Sequence, residues 1–151
     1  MAVTQFEGPV KSGNVWNAGK GTAATDQVNS GLVILQQTVT IQANSTTPLD
    51  ATTIYLPKSS KIIEIIWDTT VAWTAVTSAT GSAGISSGAT TYASSVDLKT
   101  AGRTRVHTAA QLASMANIGA TNVGIVATAT SVGGSTSTGT TIVTVVYAQT
   151  A

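Results

Sequence analysis

Cysteine is absent from this 151-residue chain, and charged residues make up only 9% of it. Without Cys there can be no disulfide and no thiolate zinc site. His107 is the sole imidazole, and the six acids (Glu7, Asp26, Asp50, Glu64, Asp68 and Asp97) are scattered along the chain. Enzymes need groups that titrate, attack or hold a metal, and these are few here. Neither catalysis nor a metal or other cofactor is expected. Seven Lys and Arg, with a net charge of +1, form no basic stripe. Nucleic-acid binding therefore has little electrostatic basis. The apolar runs are far shorter than the roughly 20 residues that span a bilayer, so no membrane segment is expected. The N-terminal stretch has no basic segment followed by an apolar run, and a signal peptide is not expected either. Aromatic residues are 5% against 42% hydrophobic, so the core must be built from small and β-branched side chains. Such side chains suit a pleated sheet. A net charge near zero favours association, and a homo-oligomer is expected.

What fills the chain is Thr, Val, Ile and Ala in strand-like runs. Residues 1–30 stand apart: they carry Gly8, Pro9, Gly13, Gly19 and Gly21 and show neither helical nor strand period. A stretch that long without a period reads as an extended arm. Its apolar groups Phe6, Val10, Val15 and Trp16 would then be anchors on something else. Residues 31–151 read as one β-domain. Within 32–43, Val33, Leu35, Val39 and Ile41 alternate with Gln36, Thr38, Thr40 and Gln42. A short strand is expected over 52–56. The run 61–69 is almost continuously apolar apart from Glu64, so burial on both faces is expected over most of it. Residues 71–77 would continue or pair with it, and 81–88 read as a Gly/Ser loop. Further strands are expected over 90–95, 123–131 and 140–149, with a flexible loop opening at Gly133 and Gly134. One helix interrupts the series. Thr108 and Gln111 form a capping box, which predicts about two turns over 109–117 with Leu112 and Met115 on one face. The whole predicts an antiparallel all-β sandwich, jelly-roll-like, with one short helix and an N-terminal arm.

Several motifs invite a chemical reading. Gly84, Ser86 and Gly88 match the G-x-S-x-G nucleophile elbow, with Asp97 and His107 following in hydrolase order. The elbow requires a strand, a sharp turn and a helix above a parallel sheet, and that context is missing. Gly19-Lys20-Gly21 suggests a phosphate loop, but the spacing from Gly13 is too long and no helix follows. His107 is expected to be a neighbour of the helix cap, and the sequon at Asn44 a polar turn. Trp67 and Trp73 would serve either as core or as a sugar platform, with core favoured. A charge at Glu64 needs a partner, and Lys58, Lys61, Arg103 and Arg105 are the candidates. Lys99, Arg103 and Arg105 lie near a turn and would either be solvated or meet an acidic partner. Glu64, Arg103 and Arg105 are thus candidate interface charges.

Phe6-Glu-Gly-Pro-Val-Lys-Ser-Gly-Asn14 resembles the start of the small capsid decoration, or cement, proteins of tailed bacteriophages. The resemblance continues through Gly31 to Leu35, Thr38 to Ile41, Thr53 to Pro57, Tyr92 to Leu98, and Lys99 to Arg103. It ends in the helix and the final strand closing Val-Tyr-Ala-Gln149. It covers most of the chain as a pattern, with no single diagnostic motif. It implies a β-sandwich that forms homotrimers on the outside of the expanded head, between capsomers of the major capsid protein. It implies no catalysis and no cofactor. On this reading Phe6, Val10 and Trp16 are capsid-binding anchors, since buried aromatics dominate interfaces. The alternative is a fibre or carbohydrate-binding module on the virion, carried by Trp67, Trp73 and the Gly/Ser loop. A serine hydrolase centred on Ser86 is the third reading.

Overall fold

The computed structural model describes residues 15–16, 27–28, 33–43, 49–74, 77–133 and 138–149. Two units divide the chain: residues 1–33 with 150–151, and residues 34–149. In the first, β1 (Val15–Trp16) pairs antiparallel with β2 (Gln27–Val28), a short ladder in a stretch whose sequence shows no strand period.

The second unit is the sandwich. Its strands are β3 (Val33–Gln42), β4 (Leu49–Leu56), β5 (Lys61–Val71), β6 (Ser78–Gly84), β7 (Ala93–Asp97), β8 (Gly102–Thr104), β9 (Val123–Val132) and β10 (Thr140–Gln149). The helix α1 (Ala109–Met115) falls between β8 and β9. One sheet runs β3-β10-β5-β8 and the other β4-β9-β6-β7. Every link between successive strands crosses from one sheet to the other, except the link from β6 to β7. Eight strands wound in this way make a jelly roll. The fold is therefore the all-β antiparallel sandwich that alternation and turn spacing lead one to expect.

The crossing links collect at two poles. At one, loop 57–60 is tied to the segment after α1: Ser59 N donates to Gly119 O at 2.8 Å, and Lys58 N to Asn122 Oδ1 at 3.0 Å. Loop 85–92 meets α1 at this helix pole. At the other, Trp73 N donates to Leu98 O at 3.0 Å and Thr77 N to Val132 O at 2.8 Å.

The core lies between the sheets. Ile65, Trp67, Val143 and Val145 from one sheet face Ile54, Ala83, Val96, Ile125 and Ala127 from the other. Small residues in β6 and β9 make room for large ones in β5, as close packing requires.

Several expectations from sequence are corrected here. Residues 61–69 are not buried on both faces. They alternate in and out from Ile65 onward, and the register shift between Val146 and Tyr147 leaves Ile63 as an extra residue. That bulge lets Ile62 and Ile65, three apart, both point inward while Ile63 is half exposed. Residues 81–84 are not a loop but the second half of β6. Gly and Ser are weak strand formers alone, but here they lie between two paired neighbours, β9 and β7. β5 ends at Val71 rather than running on to 77, and the strand expected over 90–95 begins at Ala93. Residues 102–104, read as part of a turn, form β8 against β5. In α1 the buried pair is Gln111 and Met115, four apart; Leu112 is exposed.

Candidate functional site

Strand alternation places Glu64, Ile66 and Asp68 on the outward face of β5, opposite the buried Ile65 and Trp67. Antiparallel pairing sets Asp68 directly across from Arg103 on β8. Arg103 donates from Nε to Asp68 Oδ1 at 2.8 Å and from Nη2 to Oδ2 at 2.9 Å, a two-pronged contact. One step along the same face, Arg105 Nε lies 2.9 Å from Glu64 Oε1. The result is a band of two ion pairs at the β8 edge of the sheet. The hydrogen bond from Arg103 holds the Asp68 carboxyl below the ordinary value of 3.8, helped by the charges of Arg103 and Arg105 and opposed by slight desolvation. Asp68 in turn raises the affinity of Arg103 for its proton.

The expected partner of Glu64 is thus found among its four candidates. Neither Glu64 nor Asp68 is deeply buried, so both pairs are surface pairs of modest stabilising value. The role of Asp68 was missed from sequence. Its signal was present, because Glu64 and Asp68 share one strand face and Arg103 and Arg105 share another. Only the β5–β8 register shows that the two faces meet. Arg103 and Arg105 therefore already have intramolecular carboxylates. They are less ready to meet an acidic partner than the cationic run suggests.

The hydrolase arrangement is not assembled. Ser86 is exposed in a turn closed by Ala89 N on Ser86 O at 3.1 Å, and no helix follows. A triad needs the acid on the inner ring nitrogen of the histidine. Here His107 Nδ1 lies 3.0 Å from the Tyr92 carbonyl oxygen, and Nε2 is buried without a partner. A carbonyl only accepts, so Nδ1 carries the proton and orients the ring as a strut between the helix pole and β7. Asp97 accepts from Lys99 N at 2.9 Å, and this bond together with the one to Thr100 lowers its pKa, the Thr100 side chain being the larger cause.

Trp67 and Trp73 are 0% and 1% exposed, so neither offers a sugar platform. Trp73 Nε1 donates to Thr141 Oγ1 at 3.0 Å, whereas Trp67 Nε1 is buried without an acceptor. Among the described residues, no group of three or more His, Asp or Glu is placed to hold a metal. Of the arm anchors, Trp16 has its backbone in β1, while Phe6 and Val10 lie outside the described residues, as do the phosphate-loop glycines and the sequon.

No protein-family model matches this chain, and no curated protein does. Among solved structures it is similar to a chain described as the cyanophage Pam1 capsid asymmetric unit, with a TM-score of 0.55 and 16% sequence identity. The match covers 88% of this chain and 99% of that one. At that identity the likeness establishes a shared fold.

Proposed function

We propose that this chain is a structural protein of a tailed-phage virion. On this reading it binds the outside of the head as a decoration, or cement, protein and stabilises the capsid lattice. The observation that carries the reading is the jelly-roll fold shared, over 88% of this chain and 99% of the other, with a chain from a phage capsid. The resemblance of the sequence to cement proteins points the same way. The partners are the major capsid protein and further copies of this chain, as a homotrimer. This reading calls for neither nucleic acid nor membrane as a partner. Among the described residues no helix is long and apolar enough to cross a bilayer. Assembly takes place in the host cytoplasm and the protein ends on the capsid surface.

A rigid trimer touching several capsid subunits binds each further site at high effective concentration, which is how a small protein can brace a lattice. Phe6, Val10 and Trp16 are the proposed anchors of the arm. The alternative of a carbohydrate-binding module loses its platform with the burial of both Trp67 and Trp73.

The test is co-sedimentation of purified protein with expanded heads assembled without it, together with the mass of the free protein. Saturable binding at a fixed ratio to the major capsid protein, heads that resist disruption, and a species three times the chain mass are expected. Absence of binding rejects the reading.

A further inference from the structure

Exposed large apolar side chains are unevenly spread over the sandwich. Ile34 is the second residue of β3, Tyr55 lies near the end of β4, Ile63 is the third residue of β5 and Ile85 follows β6; Val106 and Leu112 bracket the start of α1. All six belong to the helix pole or the strand ends that lead into it. Tyr55 pairs with Gly124, at the start of β9, and Ile62, beside Ile63, pairs with Tyr147, near the end of β10. Toward the opposite pole, the exposed large apolar side chains among the described residues are Val71 and Val132. Apolar surface gathered in this way, at 70% exposure for Tyr55, 64% for Ile85 and 53% for Leu112, marks an interaction face.

The charge left unpaired at this pole, among the described residues, has one sign. Lys58 and Lys61 are both exposed, and neither makes an ion pair with a described residue. Glu64 is already held by Arg105, while Asp68 and Asp97 stand toward the opposite pole. From α1 through the segment to Asn122 there is no charge at all. A second copy would bring the same lysines to this pole and no uncommitted carboxylate from the described residues. Complementarity therefore favours a different protein.

We propose that the helix pole is the face by which this chain docks on the capsid shell. The shell surface it meets is apolar at its centre and carries carboxylates at its rim. The inference rests on the decoration reading and adds to it the orientation of the sandwich and the chemistry of the partner. The polypeptide enters β3 and leaves β10 at this same pole.

The experiment compares three variants with wild type in co-sedimentation with heads assembled without the protein, after each is shown to melt as wild type does. Lys58→Glu/Lys61→Glu and Leu112→Asp alter the helix pole; Val132→Asp alters the other. Both helix-pole variants are expected to lose at least about tenfold in affinity, with Val132→Asp unchanged. The defect of the lysine variant should shrink as salt is added, because salt screens the repulsion. If Leu112→Asp does not fold, the lysine variant decides alone. Undiminished binding of the helix-pole variants, or loss confined to Val132→Asp, overturns the inference and leaves the decoration reading standing. Failure of the wild-type protein to bind removes both.

Discussion

Gly81 on β6 lies directly beneath the indole of Trp67 on β5: a Cβ at position 81 would come 2.7 Å from Cζ3 of that ring. The two sheets meet at this point with no space for a methyl group. Gly81→Ala should therefore destabilise the fold by about 1–3 kcal/mol, the usual range for an overpacked core. Trp67→Phe in the same background should recover part of the loss, because the smaller ring withdraws and the buried, unpartnered indole N–H goes with it. Denaturant midpoints of the four proteins in the double-mutant cycle measure the coupling. Additive losses would show that the two positions do not press on one another.

Gln111 is a second joint. Its Oε1 accepts from Thr108 N at 2.8 Å to close the capping box, while its Nε2 donates to Thr90 O at 3.0 Å and Ser94 Oγ at 2.9 Å. One buried amide thus caps the helix and fastens it to the approach to β7. Gln111→Ala should cost about 2 kcal/mol, from the lost cap and the unsatisfied groups left behind. Gln111→Glu keeps the cap but turns a donor into an acceptor opposite the Thr90 carbonyl. It should lose stability at neutral pH and recover some in acid. Hydrogen exchange of amides 90–94 and 109–116 reads both effects, and unchanged protection in Gln111→Ala would rule out the joint.

The Asp68–Arg103 pair sets a pH dependence of definite sign. The folded-state pKa of Asp68 is lowered, so its contribution is present above the unfolded value of 3.8 and is lost as pH falls through the folded one. Arg103 is exposed and Asp68 partly so, and the effect is small. Asp68→Asn should be slightly less stable than wild type near neutrality, with the difference vanishing in acid. Unfolding curves from pH about 2 to 7 test this. A difference that widened on acidification would have the wrong sign.

Trp16→Ala tests the arm. The sandwich formed by residues 34–149 has its own core, and the substitution should leave its melting unchanged. Attachment to heads should weaken markedly, as expected on loss of a buried aromatic anchor. Full binding by the variant would remove Trp16 from the mechanism.

Ser95 adopts a φ of +54° inside β7, beside the register irregularity opposite β6. A non-glycine residue there is strained. Ser95→Gly should be neutral or slightly stabilising, and Ser95→Val should destabilise by about 1–3 kcal/mol, both read from thermal melts.

Local chemistry was enough to specify much of this protein. The capping box at Thr108 and Gln111 sets where α1 begins, because it needs only residues three apart. The Thr/Val alternation over Thr140–Gln149 marks β10 from end to end, since its period reflects one buried face. Tertiary structure decided the rest, wherever a residue's state depends on a partner distant in the chain. Ser78–Gly84 becomes a strand because Trp67 requires small residues opposite and because β9 and β7 supply ladders on both sides. Residues 61–69 keep one face partly exposed because only their inward side chains meet the other sheet, and a bulge at Ile63 lets Ile62 and Ile65 both point inward, which no periodicity announces. Asp68 finds Arg103 because β8, only three residues long, pairs with β5. Composition sets what a segment can bury; only pairing across the sheets decides which face it buries and against what.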